Sequence, residues 1–269
     1  MAITASLVSE LRSKTGVGMM KCKEVLTETG GDIEKAVVLL REKGLAAASK
    51  KSDREAKDGR VFTMVDGSKA AILELNCETD FVSSNDDFSV LGTTLVKAAL
   101  AQGLGSKEVF DVAIVDGTLV TDLLATYVLK LGENIQVGQV SYIEGTGSVA
   151  DYIHSNGKIG ILIEFTGQVD AELGKDIAMQ VAAASPRYIK PEDVDASEVE
   201  QEKAIIMKQC ADEGKPAEIA EKIVIGRIKK FYKEICLLEQ AFIKDGDKTV
   251  QQMLPDGVTI ASFKRYSLV

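Results

Sequence analysis

Val61-Phe62-Thr63-Met64-Val65-Asp66-Gly67-Ser68-Lys69-Ala70-Ala71-Ile72-Leu73-Glu74-Leu75 sets two short apolar runs on either side of Asp66-Gly67. Asp-Gly tolerates the positive φ angles of a tight primed turn, so the stretch reads as a β-hairpin. A helix is predicted to follow from Asp86 to Gln102, with Phe88, Leu91, Leu95 and Ala99 at the spacing of one face. The same order returns further along the chain. Val149 to His154, a Ser155-Asn156-Gly157 turn, the run Ile159 to Phe165 and a helix from Asp170 to Ala184 repeat hairpin plus helix. Gly67-Ser68-Lys69 and Gly157-Lys158 introduce the aliphatic run of each copy. Two related α+β subdomains are the simplest account.

Outward from this duplicated core, two helical stretches are expected before Gly132: Glu108 to Val115, and Thr118 to Leu131 with Leu123, Leu124, Tyr127, Val128 and Leu131 facing inward. The second copy is interrupted. After Ser185-Pro186 and Lys190-Pro191, Ser197-x-x-Glu200 reads as a capping box for a helix to about Asp212, with Val199, Ile206 and Cys210 at helical spacing. Gly214-Lys215-Pro216 turns the chain, and Ile219, Ile223 and Ile228 mark a helix back. So charged an antiparallel hairpin, spanning about 192–230, projects from a core rather than filling it. Val199, Ile206, Ile219 and Ile223 either pack its two helices together, the favoured reading, or offer a homodimer contact. Cys236-Leu237-Leu238 and Val258 to Phe263 are expected to return as strands, with a short helix after the Thr249 cap.

Ahead of the core, Leu7, Val8 and Leu11 form an apolar face stopped by Gly16, and Met19, Met20, Val25 and Leu26 repeat it up to Gly30-Gly31. Asp32 suits an N-cap for a third helix lined by Ile33, Ala36, Val37 and Leu40 and ended by Gly44. Below about 70 residues an isolated core is marginal, so this module is expected to dock on something. The expected division is a three-helix module over 1–48, a charged linker over 49–60, one core subdomain over 61–140 and another over 141–269 carrying the hairpin.

Composition narrows function. Lys and Arg number 32 against 41 Asp and Glu, a net charge of −9, which disfavours direct nucleic-acid binding because phosphates attract clustered cations. Cys22, Cys77, Cys210 and Cys236 stand far apart with no C-x-x-C, so free thiols are expected and a zinc site is not. One histidine, His154, cannot build a multi-histidine metal site, and no G-x-x-x-x-G-K-[ST] string supplies a phosphate loop. No apolar run approaches the roughly 20 residues of a membrane span. The opening Met1-Ala2-Ile3-Thr4-Ala5-Ser6 lacks a basic start and apolar block, so a cytoplasmic chain, or one matured inside an organelle, is expected. No cofactor and no metal are expected.

Candidate chemistry is sparse. Gly145-Thr146-Gly147-Ser148-Val149-Ala150 matches a loose dinucleotide fingerprint, but strand-like sequence follows where a helix N-terminus is needed, so it reads as a turn. Gly103-Leu104-Gly105 fails for the same reason. Glu78, Asp80, Asp86 and Asp87 lack the EF-hand order, and Asp86-Asp87 suits the first turn of the next helix. His154 has no nameable nucleophile or acid beside it. Met19-Met20 reads as core before ligand surface. Asn76-Cys77-Glu78-Thr79-Asp80-Phe81-Val82 admits two readings: a helix-entry loop with Phe81 tucked inward as a staple, favoured on physics alone, or an aromatic interface anchor beside an acid.

At these residues the sequence resembles the translation elongation factor Ts family. Leu11 to Leu26, containing Arg12, Thr15, Gly16, Met19 and Met20, is similar to the family's N-terminal signature, and Glu74 to Val82 to its second, centred on Thr79-Asp80-Phe81-Val82. Gly132-Glu133-Asn134, Ile189 to Val194, Gly214-Lys215-Pro216 and Gly226-Arg227 extend the likeness over nearly the whole length. The resemblance implies a ubiquitin-associated-like three-helix module, two α+β subdomains and an inserted helical hairpin. It implies a non-enzymatic guanine nucleotide exchange factor whose partner is elongation factor Tu, GDP-bound or nucleotide-free. Asp80 and Phe81 would enter the partner's G domain near its magnesium, Thr79 and Val82 would hold the loop, and the N-terminal signature would face the same domain. A protein that binds the GTPase without promoting exchange is the alternative; an enzyme using Glu78 and Asp80 is a distant third. Ser84 stands where members often carry Lys, Arg or Asn, and the sequence ends soon after its last strand, whereas some members add a C-terminal helical module.

Overall fold

The computed structural model describes residues 3–269. Three helices come first: α1 (Ala5–Thr15), α2 (Met19–Glu28) and α3 (Ile33–Lys51). The Thr4 and Asp32 side chains cap α1 and α3 by accepting from the Leu7 and Lys35 N–H groups, donors that the helix itself leaves without partners. Leu11, Cys22, Val25, Leu26, Ala36 and Leu40 bury one another in a small core.

Gly44 does not end the third helix. α3 continues to Lys51 because it lies along a later helix, α7 (Val120–Leu131), where a Cβ on Gly44 would stand 3.0 Å from the Ala125 carbonyl oxygen. The glycine serves close helix approach rather than termination. The charged stretch is accordingly shorter than expected, for β1 already starts at Asp58.

β1 (Asp58–Asp66) and β2 (Lys69–Cys77) form the hairpin, but Asp66 pairs with Lys69, so the two-residue loop is Gly67-Ser68, one position later than the sequence suggests. Gly67 takes the positive φ, +59°. After the one-turn α4 (Asp80–Ser83), α5 (Asp86–Gln102) packs on this sheet with Phe88, Leu91, Leu95 and Ala99 all buried, as expected. The helix expected over Glu108 to Val115 is cut short: α6 (Lys107–Asp111) gives way to β3 (Ile114–Val115), joined to β4 (Thr118–Leu119) by Asp116-Gly117. Both loop residues have positive φ, 49° and 79°, so hairpin turn chemistry overrides helical spacing. A strand that the sequence reading lacks, β5 (Gln136–Glu144), pairs antiparallel with β2 and completes the order β1-β2-β5.

The second sheet has the order β10-β7-β6, from β6 (Val149–Ile153), β7 (Ile159–Phe165) and, at the end of the chain, β10 (Ile260–Ser267), and is covered by α8 (Ala171–Ala184). The two sheets meet through Val61, Ala70, Ile72, Ile143, Leu162 and Tyr266, whose hydroxyl lies 2.7 Å from Ser141 Oγ. α9 (Ala196–Asp212) and α10 (Ala217–Ile235) form the inserted hairpin around Ile206, Cys210, Ala220 and Ile228. Its cap is Asp195, which accepts from the Ser197 N–H at 2.8 Å, and not Ser197. Glu200 instead pairs with Lys203, so no capping box forms there. Cys236-Leu237-Leu238 is no strand: Cys236 makes a single parallel bridge to Tyr188, and Leu237–Glu239 is a 3₁₀ turn. β8 (Ala241–Phe242), β9 (Asp245–Thr249) and α11 (Val250–Met253), capped by Thr249 with Gln252, precede β10. The architecture is α+β.

Candidate functional site

α4 follows β2 with two residues between them, and its turn decides which side chains face outward. Thr79 caps it, its hydroxyl accepting from the Val82 N–H. Val82 and Ser83 are buried. Successive helical residues are separated by about 100°, so seating Val82 inward turns Phe81 outward, and Phe81 is 85% exposed. The inward staple is therefore Val82, not Phe81. Asp80 and Ser84 are exposed beside the ring.

The turn is held by residues far away in the chain. Glu133 Oε2 accepts from the Glu78 and Thr79 N–H groups, each at 3.0 Å, and Glu133 Oε1 accepts from the Thr79 hydroxyl at 2.6 Å. In return Glu78 Oε1 accepts from the Asn134 N–H at 2.7 Å and pairs with Arg54 at 3.6 Å. The Asn134 amide donates to the Arg54 carbonyl at 2.8 Å. Sequence reading gave Glu133 no role; its one signal was the string Gly132-Glu133-Asn134. Below the turn, the Cys77 thiol donates to the Thr79 carbonyl at 3.2 Å. Burial, with the Glu133 and Asp58 charges adding to it, pushes that thiol up to about 12, so it is no nucleophile.

The N-terminal residues form a second surface. The Gly16 N–H caps α1 by donating to the Arg12 carbonyl at 2.7 Å, with φ at +67°. The Thr15 hydroxyl donates to the Leu11 carbonyl at 2.8 Å. Arg12 is exposed, and Met19 and Met20 are 56% and 79% exposed, which overturns their reading as core. Val17, buried just ahead of α2, takes the inward place beside Cys22 and Val25. A groove of about 1000 Å³ opens here, lined among others by Arg12, Met19, Met20, Lys23 and Leu129.

Lys130 also lines that groove and links the two surfaces. Its ammonium pairs with Asp87, in the first turn of α5, at 2.6 Å, and its stem passes over Gly16, where a Cβ would stand 2.9 Å from Cε. Asp86 and Asp87 sit at the N-terminus of α5 behind the Asn85 cap, as expected. His154 Nδ1 lies 3.1 Å from the Tyr152 hydroxyl. Residues 145–148 connect β5 to β6, and Val149-Ala150 open β6. Among the described residues no group of three or more His, Cys, Asp or Glu is placed to hold a metal ion.

Comparison with known proteins shows the family. The family described as Elongation factor TS matches residues 78–269. The chain is 46% identical over 262 residues to elongation factor Ts of Clostridium botulinum strain Eklund 17B, covering 94% of this chain and 86% of that protein. It is 45% identical to elongation factor Ts of Magnetococcus marinus, over 94% and 86% of the two chains. For elongation factor Ts of Clostridium acetobutylicum the identity is 43%, over 98% and 92%. With the Thr79–Val82 turn, the N-terminal helices and similarity over nearly its whole length, the chain belongs to the elongation factor Ts family.

Proposed function

We propose that the chain is the guanine nucleotide exchange factor of elongation factor Tu in translation elongation, acting by binding and not by catalysing a chemical reaction. The observation that carries this is Phe81, an apolar ring 85% exposed on a turn whose own backbone is pinned by Glu133. A preorganised aromatic loses little entropy on docking, and such anchors dominate interface energetics. Inserted with Asp80 near the partner's magnesium, the ring would displace side chains from a demanding octahedral geometry and so loosen GDP. Reciprocity then requires nucleotide to weaken exchange-factor binding by the same factor, which lets GTP release the factor for another cycle.

Thr79 and Val82 shape the turn, while Arg12, Thr15, Gly16, Met19 and Met20 give a second contact whose methionines adapt to the partner surface. The partner is engaged GDP-bound or nucleotide-free, without direct nucleic-acid contact, in the cytoplasm. Among the described residues no helix is long and apolar enough to cross a membrane. The module over 1–48 and the subdomains over 61–140 and 141–269 serve as separate contact surfaces. A homodimer through the hairpin would use Ile219, exposed, and Ile223, half-buried, because Val199 and Ile206 pack inward.

Substoichiometric protein is expected to accelerate release of labelled GDP from elongation factor Tu, and Asp80→Ala with Phe81→Ala to remove most of that effect at unchanged thermal stability. Unaltered release by the double variant would remove the turn from the mechanism. A stable complex without faster release would favour a holding protein.

A further inference from the structure

We infer that Glu133 is a positioning residue for exchange, a brace that fixes the direction in which Asp80 and Phe81 point. The inference rests on the proposed role of the Thr79–Val82 turn and adds to it a residue that would never touch the partner's nucleotide site. Glu78 and Thr79 supply the last two backbone N–H groups before α4, and both donate to one carboxylate oxygen of Glu133, while the other oxygen takes the Thr79 hydroxyl. Three donors converge on one anion, the arrangement in which hydrogen bonds are strongest. Thr79 is also the cap of α4, so its hydroxyl is shared between the brace and the helix it starts.

The bracing is reciprocal. Glu78 reaches back to the Asn134 N–H, and the Asn134 amide reaches the Arg54 carbonyl just beyond α3. The Lys51 ammonium, at the end of α3, donates to the Gly132 carbonyl. Residues 132–134 thus knot the end of α3, the end of α7 and the turn together. A hydrophobic ring that must displace specific groups in a partner depends on its direction, and a misplacement of ~1 Å can cost a site a hundredfold. Val82 and Ser83 seat the buried side of α4, and the carboxylate ties down its entry, where Glu78 and Thr79 are only half-buried.

The test uses the full-length chain and elongation factor Tu. Glu133→Gln keeps the shape but replaces one acceptor oxygen by a donor, and Glu133→Asp keeps the charge but shortens the reach. Both are expected to lower the maximal rate of GDP release about tenfold, with a smaller change in the half-saturating concentration, since the groove at Met19 and Met20 is untouched. Amide hydrogen exchange at Glu78 and Thr79 is expected to quicken in the free protein. In a mutant cycle, Glu133→Gln added to the Asp80→Ala/Phe81→Ala variant should cost nothing further. Activity retained by Glu133→Asp would mean that charge alone matters, and a further loss in the Asp80→Ala/Phe81→Ala background would mean that Glu133 acts independently of the turn; either overturns the brace. If Phe81→Ala leaves release unchanged, the assignment of the turn falls first and the brace with it. If Phe81→Ala slows release and Glu133→Gln does not, the brace falls alone.

Discussion

Phe81 and Val82 are adjacent, both apolar, and opposite in fate, and α4 is too short for periodicity to say which goes inward. The choice is made by the floor beneath the turn: Val82 joins Leu75, Cys77 and Phe88 in the first core, leaving Phe81 to solvent. The sequence motif marks the turn, while the Glu133 bonds that tie it down join residues 54 and 55 positions apart. No local pattern carries such information. Cys77 shows the same floor through its chemistry. Its ordinary value of 9.0 is raised to about 12 in the fold, and that of Cys236 to about 11, in both cases chiefly by burial. Below about pH 9 both folded and unfolded chains hold these protons, and the contribution to stability is complete. As pH rises from 9 towards 12 the unfolded chain ionises and the native one resists, so stability is lost with rising pH. The Tm of the protein is expected to fall between about pH 9 and 11, and that of the Cys77→Ala/Cys236→Ala variant to fall less steeply over the same range. Parallel curves in thermal denaturation would assign the alkaline loss to other groups.

Elements were legible where their own period was undisturbed. α5 and α8 follow from sequence because an amphipathic helix on a sheet repeats without interruption. β5 does not, and the reason is in its pairing. Leu73 faces Val140 and Leu75 faces Val137, so β5 uses three residues where β2 uses two. The bulge puts Val137 and Val140 on one core at a spacing of three, which imitates neither a regular strand nor a helix over so short a run. Gly44 misled in the opposite sense, for a glycine expected to stop α3 instead lets it pass α7 closely. Gly44→Val is expected to lower stability by about 1–3 kcal/mol, since a branched side chain must enter a gap where even a Cβ stands 3.0 Å from the Ala125 carbonyl. Chemical denaturation should show the loss as a lower midpoint at unchanged slope. A variant as stable as the parent would mean that α3 can lift from α7 freely, and that the route from the N-terminal helices to residues 132–134 is soft.

The duplicated order of hairpin and helix was readable as two subdomains, but how their sheets meet was not, because that contact joins aliphatic residues scattered over both halves around one glycine, which no local pattern ties together. A Cβ on Gly160, in β7, would lie 2.3 Å from Val61 Cγ1 and 2.9 Å from Ile153 Cδ1, so the sheets approach as closely as they do only because that side chain is absent. The Val61 N–H also donates to the Gly157 carbonyl at 2.9 Å, and Thr63 to Asp151 at 2.5 Å, so the first strand of one half is seated on the opening hairpin of the other. Gly160→Val should wedge the halves apart, at a cost of about 1–3 kcal/mol from overpacking, which for a chain of this size lowers Tm by about 3–10 °C. The brace at Glu133 and the turn it holds lie wholly within the first half. The maximal rate of GDP release is therefore expected to survive Gly160→Val, while the half-saturating concentration rises because surfaces on the two halves no longer meet the partner in register. A variant whose maximal rate falls while its affinity holds would show that the turn takes its direction from the second sheet, and would place the origin of its rigidity in the contact between halves rather than in the carboxylate.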